Sequence, residues 1–177
     1  VPTVTETTGL GLGISIPYFV DLADNKDFTF TPKFYSGDRG LYLGEYRHVT
    51  KNSSWVLDSG YTKGYKNPTG VQTAGSRNHF FFKSSIDLDL DLFDESTLYL
   101  NVQRVSNDTY LKVHKINTEL VSYGNSELTN ELGLNLEKGN TTLSVKGYAY
   151  EDISDPENSR YEFLVPQVNL DTLLLDS

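Results

Sequence analysis

The chain of 177 residues contains no cysteine and one tryptophan, and it has no long apolar run. Without cysteine there is no thiol catalysis, no disulfide framework and no thiolate metal site. The longest apolar cluster, Phe80-Phe81-Phe82, is bounded by His79 and Lys83. A membrane-spanning helix needs about 20 consecutive apolar residues, so a helical transmembrane protein is excluded. Basic residues are also in deficit: the formal net charge is −9. No basic stripe is present to meet phosphates, which argues against a nucleic-acid partner. No signal peptide is visible and Val1 is not a natural start, so the sequence is read as a mature chain or, in preference, as a fragment of a longer protein.

Fine alternation is what the chain does have. Hydrophobic residues make up 37% of it, yet mean hydropathy is −0.41, so apolar and polar residues are interleaved. Tyr 12 and Phe 9 make it aromatic-rich, which favours strands, and tyrosine suits a membrane–water boundary. From Leu10 to Val20, Leu10, Leu12, Ile14, Ile16 and Tyr18 share one face, with the small residues Gly11, Gly13, Ser15 and Pro17 inward. A turn at Ala23 to Lys26 follows. Phe28, Phe30 and Phe34 then alternate with Thr29, Thr31 and Lys33 over Asp27 to Tyr35. Ser36 to Gly40 is a second turn, and Leu41 to Val49 and Ser54 to Tyr65 are further strands. Lys66 to Ser76 reads as an exposed loop, and Asn78 to Leu92 as one long strand. Thr97 to Val105, Thr109 to Lys115, Glu127 to Leu136, Thr141 to Tyr150 and Tyr161 to Leu170 complete roughly ten strands. No segment has helical periodicity, and no domain boundary is visible.

Two architectures fit this pattern: a meander of membrane strands, or a soluble all-β sandwich or jelly roll. Asp87, Asp89 and Asp91, interleaved with leucines, read as water-facing acids on a strand. A calcium loop would need a glycine and a distant glutamate, both absent here. His48, His79 and His114 are scattered, with no nucleophile elbow or metal-binding histidine pair to organise them, so no catalytic or metal residue is assigned. Three N-glycosylation triplets, starting at Asn52, Asn107 and Asn140, are too short a pattern to carry weight.

Two prolines stand inside consecutive strands, where a missing N–H removes a ladder hydrogen bond. A hairpin centred on Asp24-Asn25 sets Pro17 opposite Pro32. A slip of one residue matches the faces better and still leaves the prolines adjacent. On residue chemistry alone both mark edge or bulge positions.

Their surroundings carry a family pattern. Pro17-Tyr18 is followed by Ala23-Asp24-Asn25-Lys26-Asp27, Thr31-Pro32, Arg39-Gly40 and Glu45-Tyr46-Arg47. Further along stands Arg104-Val105-Ser106-Asn107-Asp108-Thr109-Tyr110-Leu111. In order and spacing these segments resemble the LptD (OstA) family, densely over 11–48 and 104–112 and thinly elsewhere. The chain departs from the family's pattern at Asn107, where aspartate is usual, at Lys112-Val113, and around Asn78-His79.

The resemblance implies an all-β, antiparallel up-and-down meander forming the N-terminal part of a large transmembrane β-barrel. It implies location in the outer membrane of a Gram-negative bacterium. Residues 1–177 would be a fragment of that barrel, without the preceding periplasmic jelly roll and the closing strands. The family transports and assembles lipopolysaccharide: acyl tails leave sideways between first and last strands while the sugar passes through the lumen. The implied partners are lipopolysaccharide, a small LptE-like lipoprotein plug and an LptA-like periplasmic bridge protein. No cofactor and no enzymatic step are implied. Pro17 and Pro32 are then expected to ease a lateral gate. Tyr18, Asp27, Arg39, Gly40, Glu45, Arg47, Ser106, Asp108 and Tyr110 carry the family motif. Glu45 and Arg47, two apart, are expected to form an inward ion pair. A passive porin-like barrel and a secreted carbohydrate- or protein-binding β-sandwich are the rival readings.

Overall fold

The structure is a computed structural model that describes residues 1–7, 9–66, 71–154 and 160–173. Its strands are β1 (Thr3–Thr7), β2 (Gly11–Ser15), β3 (Tyr18–Ala23), β4 (Lys26–Tyr35), β5 (Leu41–Val49) and β6 (Ser53–Lys66). β7 (Gln72–Asp87), β8 (Glu95–Val105), β9 (Glu127–Lys138), β10 (Thr141–Asp152) and β11 (Tyr161–Thr172) follow, with one short helix, α1 (Tyr110–His114), after β8. Their hydrogen-bonded order is β1-β2-β4-β5-β6-β7-β8-β9-β10-β11, with β3 also on β4. The fold is therefore an all-β antiparallel meander, and no ladder joins β1 to β11 among the described residues. Among those residues no helix is long and apolar enough to cross a membrane.

Packing divides the chain into two compact units. One comprises Val1–His48, Val56–Phe81 and Arg104–Asn125; the other comprises Val49–Trp55, Phe82–Gln103 and Ser126–Ser177. In the second unit the registers sort side chains cleanly by face. Directly opposed residues share a face, as do residues two apart on a strand. One rung runs Leu98–Leu134–Val145–Val168 and another Ser96–Leu136–Leu143–Leu170. The opposite face carries Thr97–Asn135–Ser144–Asn169 and Tyr99–Gly133–Lys146–Gln167. Ser144 Oγ and Asn135 Oδ1 are 2.7 Å apart there, and Lys146 lies 3.8 Å from Glu131. Among the described residues no second layer covers the apolar face: Leu132, Val168 and Leu170 are 57%, 60% and 68% exposed. A soluble sandwich buries such a face, whereas a membrane wall presents it outward.

The first unit shows the same inversion. On β2, Leu12 and Ile14 are exposed while Gly13 and Ser15 are buried. On β6, Asp58, Gly60, Thr62 and Gly64 are buried while Tyr61 is exposed. Across β4 and β5, Phe28, Phe30 and Phe34 fall with Tyr42 and Tyr46 on one face, and the Phe30 and Tyr42 rings stack at 6.3 Å. Asp27, Thr29, Thr31 and Lys33 fall with Glu45 and Arg47 on the other.

Several expectations change. The strand expected over Thr109 to Lys115 is a helical turn: Asn107 Oδ1 accepts from the Thr109 N–H at 3.2 Å and starts α1. Lys115, at φ 47°, ends it, and the Ile116 N–H closes back on Leu111 O at 3.0 Å. The long strand from Asn78 stops at Asp87, because Asp89 adopts φ 50° in a turn running to Asp94. The acids of the Asp-Leu repeat therefore lie at a strand end and in a turn. Of the stretch expected as a loop over Lys66 to Ser76, Lys66 ends β6 and Gln72 to Ser76 belong to β7, while residues 67–70 lie outside the described residues. The stretch from Leu10 to Val20 is two strands, broken at Ile16-Pro17, and β1 is an additional strand.

Candidate functional site

The break at Pro17 follows from backbone direction. β2 and β3 both pair β4, and one register serves both: Ser15 opposes Lys33 and Tyr18 opposes Phe30. That register places Ile16 opposite Pro32 and Pro17 opposite Thr31, one residue away from the proline-on-proline pairing. The two prolines are adjacent but on opposite faces. Successive strand residues aim their backbone groups at alternate edges. Leu12 O accepts the Ser36 N–H at 2.9 Å and the Ile16 N–H donates to Pro32 O at 3.1 Å, so these residues use the β4 edge. Pro32, lacking an N–H, returns nothing to Ile16 O, and the rung is half made. Pro17 aims its nitrogen at the other edge, past Ser15, the last β2 residue paired to β1. Pro32 therefore weakens the β2/β3–β4 seam, and Pro17 permits the strand to outrun β1.

On the face of Thr31 and Lys33 beside this seam lies a cleft of about 350 Å³, lined by Ser15, Pro17, Thr31, Lys33, Glu45 and Asp58 among others. Arg47 Nε lies 3.0 Å from Asp27 Oδ1, its cross-strand partner, and 3.7 Å from Glu45. The expected Glu45–Arg47 pair is thus a three-residue cluster whose shorter contact is to Asp27. Tyr18 is exposed at the start of β3. Arg39 is exposed in the β4–β5 turn, its N–H donating to Asp38 Oδ1 at 2.8 Å, and Gly40 O accepts the Thr62 hydroxyl at 3.0 Å. Ser106 and Asn78 exchange two bonds: the Asn78 N–H donates to Ser106 Oγ at 2.8 Å, and the Ser106 N–H to Asn78 O at 2.9 Å. Asp108 is half-buried in the turn that opens α1.

Tyr110 joins a second cluster that the linear sequence did not reveal. Its fully buried hydroxyl lies 3.3 Å from His79 Nδ1, and His79 Nε2 lies 2.7 Å from Asp58 Oδ1. In the neutral tautomer that fits, Nε2–H donates to the carboxylate and Nδ1 accepts from the tyrosine. Phe81 stacks on the imidazole at 4.5 Å. The cluster pins α1 to the buried faces of β6 and β7, helped by buried Leu111, Ile116 and Val121. Burial raises the Tyr110 hydroxyl pKa, so it remains a hydrogen-bond donor. The one signal for this cluster in the sequence was the stripe Asp58, Gly60, Thr62, Gly64, polar or small at every second position. Among the described residues no group of three or more His, Asp or Glu is placed to hold a metal ion.

His114, 2% exposed, packs against the rings of Tyr35 and Tyr110, and among the described residues neither ring nitrogen has a hydrogen-bond partner. Burial is the main cause that pushes its pKa down to about 4; Arg77 and Lys33 act in the same direction and Asp38 opposes them. The unfolded imidazole takes its proton near pH 6.5 and the buried one does not, so stability is full above that value and falls as pH drops toward 4. The expected loss between pH 7.5 and pH 4 is about 3 kcal/mol. It is read from urea midpoints of the full-length protein against pH, and His114→Phe should remove this component.

No protein-family model matches the chain. Sequence comparison finds similarity to "LPS-assembly protein LptD" of Idiomarina loihiensis, 23% identical over 171 residues, 96% of this chain and 21% of that protein. The protein of that name from Pseudomonas aeruginosa is 25% identical over 98% of this chain and 18% of its own length. That from Cupriavidus necator is 29% identical over 90% of this chain and 18% of its own. The chain spans about a fifth of the length of these curated relatives.

Proposed function

Because the chain is related to the LptD family across nearly its whole length, we propose that it is part of an outer-membrane barrel wall that assembles lipopolysaccharide. In this reading residues 1–177 are the N-terminal part of the barrel domain, and no catalytic step belongs to them. The observation that carries it is the inverted alternation, an apolar face against a polar one within each unit: Leu132, Val168 and Leu170 against Glu131 and Lys146 in the second, and Phe28, Phe30 and Phe34 against Asp27, Glu45 and Arg47 in the first. Lipid surrounds the apolar face and the sugar-bearing part of lipopolysaccharide meets the polar one. An LptE-like plug and an LptA-like bridge protein are the partners this reading assigns to the whole protein.

Within the wall, the half-made rung at Pro32 supports a lateral opening beside β2 and β3. Pro32→Ala restores an N–H facing Ile16 O, a bond worth about 0.5–1.5 kcal/mol. Pro17→Ala restores one that faces away from β4. In cells depleted of the native protein, full-length Pro32→Ala is expected to slow the arrival of new lipopolysaccharide at the surface by up to about tenfold, and Pro17→Ala by less. Equal delivery by Pro32→Ala and the parent ends the seam reading. If depletion leaves surface lipopolysaccharide unchanged and lowers small-solute uptake, the protein is a porin.

A further inference from the structure

The ladder between β8 and β9 stops at Asn101 opposite Glu131, although β8 runs on to Val105 and β9 begins at Glu127. Past that rung, side chains take over the joining. The Gln103 N–H donates to Asn130 Oδ1 at 2.8 Å, the Thr129 N–H to Gln103 Oε1 at 2.9 Å, and Asn101 Nδ2 to Thr129 O at 2.8 Å. One strand further, the β10–β11 register shifts between Lys146 and Tyr148. Fork and bulge flank a groove of about 410 Å³ in the second unit, lined by Leu100, Val102, Leu132 and Phe163, with Gly147 and Ala149 between them. Leu100, Leu132 and Gly147 form one rung of the apolar face, and the glycine is the gap in it. A Cβ at Gly147 would meet nothing nearer than Leu164 O at 4.0 Å.

The groove states what fits it. The polar groups beside it are engaged in the wall: Asn130 Oδ1 accepts from Gln103, its Nδ2 donates to Ala149 O at 3.3 Å, and Asn101 is bonded to Thr129. Glu131 sits on the polar face near Lys146. What remains is a trough with apolar walls and a floor of small residues, at the lower end of the ~300–1,000 Å³ range of small-molecule sites. An occupant there gains nothing from a polar group and needs to be slender and flexible.

We propose that this groove binds a single lipid acyl chain, holding it against the wall at the β8–β9 fork. The site is separate in sequence from Pro17 and Pro32, and it rests on the outer-membrane reading. The test places a benzophenone amino acid at Leu132, in the groove, or at Val168, exposed on the same apolar face outside it. Each is introduced into the full-length protein in its own host membrane, and the adducts are identified by mass spectrometry after illumination. Lipid adducts at Leu132 are expected to exceed those at Val168 severalfold. Gly147→Leu, which occupies the trough, should cut the Leu132 yield about tenfold, the effect of displacing roughly two methylenes. Ala149→Leu serves as a second filling variant where Gly147→Leu does not fold. Equal lipid yields at the two positions mean ordinary bilayer contact and overturn the proposal. Protein adducts at Leu132 overturn it in favour of a partner segment. Lipid adducts at neither position remove the outer-membrane reading along with it.

Discussion

Replacing His79 by alanine in the full-length protein is expected to cost about 3–5 kcal/mol, the usual penalty for stripping the partner from a buried carboxylate. His79 and Asp58 are 2% and 4% exposed, and the 2.7 Å bond between them is the carboxylate's contact with the imidazole. The same substitution removes the partner of the Tyr110 hydroxyl and the ring under Phe81, so α1 loses its polar anchor. Asp58→Asn keeps the shape and an acceptor oxygen and should cost about 1–2 kcal/mol; Tyr110→Phe, losing one bond, about 1 kcal/mol. Gly60→Ala attacks the cluster from the side. Its Cβ would stand 2.5 Å from His79 Cε1 and 2.7 Å from Leu43 Cδ2, an overpacking worth about 1–3 kcal/mol. Urea midpoints in detergent read the series. A His79→Ala protein within 0.5 kcal/mol of the parent, roughly the scatter of neutral surface changes, would show that the cluster anchors nothing.

The second large effect belongs to the faces of the wall. On the proposed outer-membrane reading, Leu98→Arg is expected to destabilise the folded full-length protein in vesicles by about 2–4 kcal/mol at the bilayer midplane, falling toward the interfaces. Ser144→Arg, on the opposite face and a rung that also holds Asn135 and Asn169, should change stability little. The contrast arises because Leu98, Leu134, Val145 and Val168 form an unbroken apolar rung across four strands. The heat-induced mobility shift of the folded protein measures both variants. Tolerance at Leu98 combined with disruption at Ser144 would invert the assignment of the two faces.

Much of this was legible because period-two alternation is a local property. Leu41 to Val49 matches β5 end to end, and the apolar and polar faces of 28–34 emerge as read. The small inward residues of β2 follow from the same pattern. What local pattern could not show is where a strand is interrupted by its own backbone. Asp-Leu alternation continues past Asp87, but a left-handed Asp89 ends the strand, and side-chain period carries no record of φ. The five residues of α1 are too few to display a helical period. Its buried stripe, Tyr110, Leu111 and His114, is defined by what it docks on. The Asp58–His79–Tyr110 cluster was hidden because its members are 21 and 31 residues apart. Register was legible to within one residue, and that residue decides which proline weakens the seam.

β3 has a mechanical consequence of its own. Among the described residues it is tied along one edge only, to β4, and its continuation into β2 passes through a residue that cannot donate a hydrogen bond. Such an element resembles a plank fastened along one side: its rungs from Tyr18–Phe30 to Ala23–Lys26 hold it to β4 over about 20 Å of six extended residues. Among the described residues, the sheet bonding that holds β3 therefore acts through β4 alone, and the join to β2 at Pro17 adds no donor to it.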